Sequence, residues 1–442
     1  MKLSLRNVGM INKADIEIGG LTIIAGKNNC GKSTVGKLLF SLITAVNRYK
    51  SVLGENKNTP LMKALEDIYR SIFETITFEH RISYSQYNLI RAFRPNIFLD
   101  DIEKNGFNSA REYRLQLLHT LFGEQTTNNS KYTDLKNLLN KLSEILSKED
   151  KIEDILIETL DKLFNSEFSD DIENKINNFK FEILLSLGKN VKIKIHKKNN
   201  ISSVDVSENI NMEDLESLIP YKESLIIESP FIYGVHNSIT ASRATFEKRD
   251  MASRSIRFIG GIVQLHILDL MRKLKEQPYK KGAIDKIGIS NIINGTFEYN
   301  RIKDEFEYKT NDKTYNAINI ASGIKSFGTL QILFNGQHLN EYSLLILDEP
   351  EVHLHPEWQV KYAEVLIKMI KEYNIPILIT THSPYMLEAL DKYSEKHKVD
   401  TQFYLADEGN IHQIANSNKN TLEEIFKKLN EPFKIFDEME NG

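Results

Sequence analysis

Gly26-Lys27-Asn28-Asn29-Cys30-Gly31-Lys32-Ser33 is the stretch on which the fold turns. It fits the pattern G-x-x-x-x-G-K-[ST] and lies between a continuous apolar run, Leu21-Thr22-Ile23-Ile24-Ala25, and a segment with helical spacing over 32–47. A buried parallel strand feeding a helix through a glycine turn is the start of an α/β sheet. In such a turn the glycines let backbone N–H groups converge on phosphate oxygens, and the helix N-terminus adds partial positive charge. Gly26, Asn28, Asn29, Cys30, Gly31, Lys32, Ser33 and Thr34 are therefore the candidate nucleotide-binding residues, with Lys32 reaching the β- and γ-phosphates and Ser33 ligating Mg²⁺. Cys30, beside Lys32 at a helix start, sits where a thiol pKa is lowered, but a small side chain is simply what such a loop admits.

Two later apolar runs also end in chemistry. Leu344-Leu345-Ile346-Leu347 is followed by Asp348-Glu349-Pro350. Asp348 is placed to hold Mg²⁺ through water, and Glu349 to orient and polarise an attacking water, which favours hydrolysis over transfer to a small substrate. Ile377-Leu378-Ile379-Thr380-Thr381 ends in His382, at the carboxyl edge of the sheet where a γ-phosphate contact belongs. Before both, Ala321-Ser322-Gly323-Ile324-Lys325-Ser326 is expected to open a helix over 327–334, giving a second anion-binding helix terminus; in a two-fold dimer such an end completes the partner's site. The catalytic candidates are thus Lys32, Glu349 and His382, the metal ligands Ser33 and Asp348, and Ser322 and Gly323 join the nucleotide-binding set. His353 and His355 alternate in the loop after the acidic strand and are read as loop residues rather than metal ligands.

The chain has 442 residues, room for one enlarged domain or two or three ordinary ones. With 41% apolar and 27% charged residues it has the composition of a folded protein and not of a disordered or collagen-like one. Lys and Arg total 57 against 61 Asp and Glu, so there is no global positive field and any contact with nucleic acid must be a local patch. A single cysteine excludes internal disulfides and cysteine-rich zinc sites. The longest apolar stretch, 38–46, falls far short of a bilayer span and no signal-peptide core is visible near Met1, so a cytoplasmic protein is expected.

The α/β pattern occupies the two ends of the chain, predicting a head split between 1–50 and 317–442, with an insertion over 51–316 that partly completes it. Within the insertion, Leu135, Leu138, Leu142 and Leu146, then Ile152, Leu156, Leu160 and Leu163, recur at helical intervals and predict a helical hairpin over 131–164. Val191, Ile193 and Ile195 alternate with Lys192, Lys194 and His196 after a Gly188-Lys189-Asn190 turn, predicting a β-hairpin with a basic, solvated face that continues into Lys197 and Lys198. A long helix is expected over 253–275 and a second antiparallel pair over 297–309.

The order of these motifs, phosphate loop, long insertion, Ser-Gly helix, Asp-Glu strand and Thr-His-Ser, resembles the ABC-type ATPases of the SMC, RecF and OLD group. It departs from AAA+ rings, where the acidic strand follows the phosphate loop sooner and an arginine finger comes after it. ASGIKSFG, LLILDEPEVHLHP and ITTHSPYML are similar to the OLD-type ATPases of bacterial anti-phage systems, most of all to the ATPase subunits of the Septu type, with those of the PARIS type as near neighbours. The likeness covers about 1–50 and 317–390. It implies an ATP- and Mg²⁺-dependent ATPase whose Ser322 and Gly323 close the nucleotide of a second copy, and whose His382 is the switch histidine. Ile324 and Lys325 stand where transporter ATPases have glycine and glutamine, which speaks against transporter coupling. Gln86 is a candidate for the Q-loop, and Arg243 resembles an arginine common in OLD-type proteins. OLD nucleases carry a metal-dependent nuclease domain after the ATPase; residues 383–442 are too few for one. The resemblance therefore implies a homodimer or higher homo-oligomer acting with a separate nuclease effector, possibly of the His-Asn-His type, with nucleic acid met only through that complex and no membrane. The alternative is a RecF- or SMC-like ATPase of DNA repair or chromosome maintenance.

Overall fold

The computed structural model describes residues 1–48, 61–62, 64–75, 84–122, 130–147, 152–169, 171–173, 181–188, 191–198, 201–207, 210, 212–228, 232–234, 263–276, 287–414 and 421–429. The chain divides into two compact units, one of Met1–Tyr49 with Ile152–Gly442 and one of Lys50–Lys151. Residues 152–316, expected to lie in the insertion, therefore pack mostly as part of the head.

The head is built on one 11-stranded sheet. Its strands are β1 (Lys2–Val8), β2 (Ile11–Glu17), β3 (Leu21–Gly26), β4 (Phe181–Leu187), β5 (Val191–Lys198), β6 (Ile201–Val206), β7 (Glu223–Ile227), then, after a separate three-stranded sheet of β8 (Thr296–Asn300), β9 (Glu305–Lys309) and β10 (Thr314–Asn316), β11 (Ser343–Asp348), β12 (Ile377–Thr381), β13 (Thr401–Asp407) and β14 (Asn410–Ile414). The spatial order is β6-β5-β4-β1-β2-β14-β13-β3-β12-β11-β7. From β13 to β7 all neighbours are parallel. These central strands are buried on both faces: every residue of β3 and β12 and the first five of β11 are buried, as uninterrupted apolar runs require. At the other end, β4 alternates buried and half-buried residues, the mark of a strand with one face on the core.

Register brings the chemistry to one edge. Thr381 pairs with Ala25, Thr380 with Asp348, and Leu347 with Ile227, so β3, β12, β11 and β7 end side by side. Helix α1 (Lys32–Asn47) leaves the end of β3 and crosses the sheet, with Gly36 against Ile346 of β11.

The expected helical hairpin is instead two helices of different units. Helix α2 (Ser130–Ser147) buries Leu135, Leu139 and Leu142 in the core of the 50–151 unit, together with Leu65, Ile72, Phe93, Phe98 and Leu118. Helix α3 (Ile152–Phe168) buries Ile155, Leu156, Leu160 and Leu163 and packs on α1 and β6 of the head. Two amphipathic stripes of equal period do not say which core each one joins, and the break between them is a unit boundary. In the helical unit, Arg114 is buried with its guanidinium 4.1 Å from the centre of the Phe98 ring and ion-paired to Asp101; burial lowers its pKa to about 10.

The basic β-hairpin is part of the five-stranded antiparallel wing β6-β5-β4-β1-β2, and its face is opposed by acids: Lys194 lies 3.0 Å from Glu182, and His196 within 4.0 Å of both Glu182 and Asp205. Helix α4 (Leu265–Lys275) starts after an extended N-cap at Gln264, so Val263 and Gln264, expected in a helix over 253–275, are not helical; residues 253–262, like Arg243, lie outside the described residues. The expected antiparallel pair over 297–309 gains a third strand, β10. The Ser-Gly helix, α5 (Ser322–Asn335), begins at Ser322 and not at Phe327, so Ser322 and Gly323 form its first turn. The acidic and histidine strands lead into α6 (Pro356–Tyr373) and α7 (Pro384–His397).

A Cβ on Gly36 would lie 2.9 Å from Ile346 Cγ2. Alanine there would gain helix propensity worth about 1 kcal/mol, but valine adds two more methyl groups at the contact and a χ1 restriction. Gly36→Val is expected to cost about 1–3 kcal/mol through overpacking and to lower the melting temperature in a thermal unfolding experiment.

Candidate functional site

The phosphate loop is held in shape by close contacts that admit no side chain. Gly31, the N-cap of α1, has φ +83°, and a Cβ there would lie 2.4 Å from Ile11 Cγ1. A Cβ on Gly26 would lie 2.2 Å from the carbonyl oxygen of Ala406 on β13. Glycine is required at both points, by conformation at Gly31 and by backbone approach at each. The Cys30 side chain is buried, which is the packing role read from the sequence.

Lys32 is the buried cation of the loop, its side chain only 3% exposed. Its ammonium donates to the carbonyl oxygens of Gly26 (3.1 Å) and Lys27 (2.8 Å) and stands 3.3 Å from Glu349 Oε1. All three are the acceptors that a phosphate would replace.

Asp348 ends β11. Burial raises its pKa, opposed by hydrogen bonds from the hydroxyls of Thr380 and Ser33. The two proposed Mg²⁺ ligands are thus in contact. Glu349 follows with φ +49°, a left-handed conformation that costs a residue with a side chain about 1–2 kcal/mol. Its N–H is anchored on Thr380, 3.1 Å from both the carbonyl and the hydroxyl oxygen. The turn swings the Glu349 carboxylate between Lys32 and His382, whose Nδ1 lies 3.4 Å away. His382, and then Lys32 against the effect of burial, keep Glu349 below the usual carboxylate range, and Glu349 in turn raises the histidine pKa. Thr380 therefore organises both acids, a role the sequence did not reveal.

A cleft of about 390 Å³ opens here, lined by Met10, Asn28, Asn29, Gly31, Lys32, Ser33, Thr34, Glu228, Asp348, Glu349 and Val352. Ser33, Thr34 and Asp348 offer it hard oxygen donors of the kind Mg²⁺ takes alongside nucleotide phosphates. Among the described residues, no group of three or more His, Cys, Asp or Glu side chains could hold a metal without such help.

Glu228 was not singled out from the sequence. It follows the short run Leu225-Ile226-Ile227 of β7, the strand beside β11, and that pairing is visible only in three dimensions. Its carboxylate is 3.1 Å from Lys37 and 3.6 Å from His266 Nε2. His266 Nδ1 is 2.5 Å from Glu167, which is buried at the end of α3 and also accepts from the His266 N–H at 3.2 Å. Burial opposes the charges, but the pairings prevail: His266 rises to about 9 and Glu228 falls to about 2.

Ser322 and Gly323 are not among the residues lining the cleft. A Cβ on Gly323 would lie 3.3 Å from both Leu354 and Trp358, so the first turn of α5 packs on the loop after the acidic strand. In that loop His353 has φ +71°, while His355 caps α6 by accepting the Glu357 N–H at 3.4 Å. Lys325 donates to the Ile318 carbonyl oxygen at 2.7 Å. Gln86 lies in the helix Tyr84–Arg91 of the other unit, and the edge position beside the acidic strand is taken by Glu228.

The chain belongs to the AAA ATPase domain family, which it matches over residues 1–387. Its long separation of phosphate loop and acidic strand, and the antiparallel wing joined to a parallel core, make it within that family a P-loop ATPase head of ABC type. It is 22% identical to endonuclease GajA of Bacillus cereus (strain HuB5-5) over 405 residues, 86% of this chain and 54% of that one. It is 26% identical to protein ea59 of Escherichia phage lambda over 174 residues, 37% of this chain and 32% of ea59. The chain thus spans about half or less of the length of these curated relatives. Among solved structures it is similar to the SMC head domain from Thermotoga maritima, at 10% identity over 94% of this chain and 98% of that one, with a TM-score of 0.38. No described helix is long and apolar enough to cross a membrane.

Two outcomes are expected. Thr380→Val keeps a β-branched strand residue but removes the hydroxyl from Asp348; a hydrogen bond to a charged group is worth about 1.5–3 kcal/mol, so affinity for Mg²⁺-ATP should fall about tenfold in a calorimetric titration. The buried His266 stabilises the fold fully below its unfolded pKa of 6.5 and loses that contribution as pH rises through about 9, whereas Glu228 stabilises above 4.5 and loses its contribution toward pH 2. Melting temperature should therefore be highest between pH 4.5 and 6.5 and decline toward pH 9, with a shallower decline over that upper window in His266→Gln.

Proposed function

We propose that this chain is the ATP-binding, slowly hydrolysing sensor or regulatory subunit of an anti-phage defence complex that controls a separate nuclease effector, of the Septu type in its motifs. The observation that carries the ATPase part is the meeting of Lys32, Ser33, Asp348, Glu349 and His382 at the aligned ends of three neighbouring parallel strands. ATP would take the cleft beside Lys32, its phosphates replacing the two loop carbonyls and Glu349 as partners of the ammonium. Glu349, freed from Lys32, would then orient the attacking water and accept its proton as the water oxygen bonds to the γ-phosphorus and the bond to the bridging oxygen of ADP breaks. Held by Ser33 and Asp348, Mg²⁺ would supply charge neutralisation on the phosphate oxygens. His382 would contact the γ-phosphate.

Ser322 and Gly323 do not line their own cleft, and this supports a homodimer in which each closes the nucleotide of the other copy. The defence reading is supported by the motifs and by the likeness to an endonuclease, GajA, across most of this chain. That alignment takes in 54% of the relative, and in this proposal ATP favours the complex in which the effector is restrained.

Glu349→Gln keeps the shape of the side chain but not its basicity. It should bind ATP normally and lose turnover by a factor of about 10²–10⁴, the usual contribution of a general base. A variant unable to bind ATP would remove Glu349 from that role. Mixing Lys32→Ala with Ser322→Arg subunits should restore one composite site per dimer, and no recovery would exclude action across the dimer. Co-expression with the adjacent gene should yield an oligomer carrying the effector in size-exclusion chromatography; a monomer that copurifies with nothing would refute the complex.

A further inference from the structure

One buried carboxylate beside the site has no part in the scheme above. Glu351 is 4% exposed, and its Oε1 accepts three hydrogen bonds in sequence order, from the Thr381 hydroxyl (2.7 Å), the His382 N–H (2.8 Å) and the Ser383 N–H (3.2 Å). These bonds do not serve as the cap of α7, because Ser383 provides it with its own hydroxyl, accepting the Met386 N–H at 3.3 Å. The same Oε1 is 3.3 Å from His382 Nδ1, and Glu349 Oε1 is 3.4 Å from that nitrogen. Neither approach has hydrogen-bond geometry, and both Nδ1 and Glu351 Oε2 are buried without a partner. The imidazole is therefore shared between a fixed, buried carboxylate and a half-exposed one that Lys32 also engages at 3.3 Å. A buried acid is costly unless its charge is used, and here the nearest cationic group is this imidazole.

We propose that Glu351 is a positioning residue for ATP hydrolysis: it accepts the hydrogen bond of His382 Nδ1–H in place of Glu349, the proton staying on the ring, which releases Glu349 to the attacking water and presents the other ring nitrogen to the nucleotide. A partner on one ring nitrogen fixes the tautomer and leaves the second nitrogen for other chemistry. Without Glu351, the histidine would hold on to the base that the reaction needs. The inference rests on the ATPase reading, and its test separates the two.

Glu351→Gln keeps an oxygen for the three hydrogen bonds and removes only the charge. In steady-state ATPase assays kcat should fall about tenfold with KM little changed, and in a His382→Ala background the same substitution should change kcat no further. Equal losses in both backgrounds would overturn the proposal. Nitrogen-15 NMR of the nucleotide-free protein, with the His382 signal assigned by its loss in His382→Ala, needs neither turnover nor a stable Glu351 variant. A proton on Nδ1 in the wild type is expected, shifted by Glu351→Gln where that variant folds, and a ring protonated on Nε2 alone would overturn the proposal. A wild-type protein that binds but never hydrolyses ATP would overturn the ATPase reading, while the NMR result would still decide whether Glu351 holds the ring.

Discussion

A lysine ammonium shut away from water must be surrounded by acceptors, and Lys32 is surrounded by those that a bound phosphate would displace. Two loop carbonyls and Glu349 satisfy it. That arrangement requires the carboxylate of β11 to reach across the end of β12 to the turn after β3, which in turn requires the left-handed backbone at Glu349 and the anchoring of its N–H on Thr380. The cost of that turn is borne by the buried sheet, whose ladder fixes Thr380 opposite Asp348.

The same edge concentrates negative charge: Glu228, Asp348, Glu349 and Glu351 all lie at the ends of β7 and β11 or in the turn that follows. Each is balanced separately. Lys37 and His266 meet Glu228, hydroxyls meet Asp348, Lys32 and His382 meet Glu349, and backbone N–H groups meet Glu351. The cleft is thereby an acidic wall facing a basic loop, a polarity suited to a metal ion carried on a phosphate chain.

Residues at the ends of long apolar runs were legible in the sequence because burial of a strand and exposure of its last residue leave an abrupt boundary. Asp348, Glu349 and His382 have that signature, Lys32 was marked by the glycine loop before it, and the structure brings them together. Glu228 ends a shorter run whose importance depends on lying beside β11, a pairing between residues more than a hundred positions apart. Glu351 was not singled out because its partners lie at the end of another strand and just beyond it. The helical periodicity over 131–164 was correct as local structure but silent about partners, so a boundary between two cores passed for a hairpin. The start of α5 was placed late because serine and glycine are poor helix formers; packing of Gly323 on Leu354 and Trp358 offsets that deficit.

Strand β3, made early in synthesis, has β12 on one side and β13 on the other, both from the last quarter of the chain. Gly26 is also pressed against the carbonyl of Ala406 in β13. On the ribosome the phosphate loop therefore waits, with its strand unpaired on both edges, until the partner strands at 377–381 and 401–407 have emerged. A nascent chain halted before residue 377 has the nucleotide signature but neither flanking strand of its cradle. Assembly of the site thus has to await the strands at 377–381 and 401–407, and the long interval leaves an apolar segment for chaperones to shield.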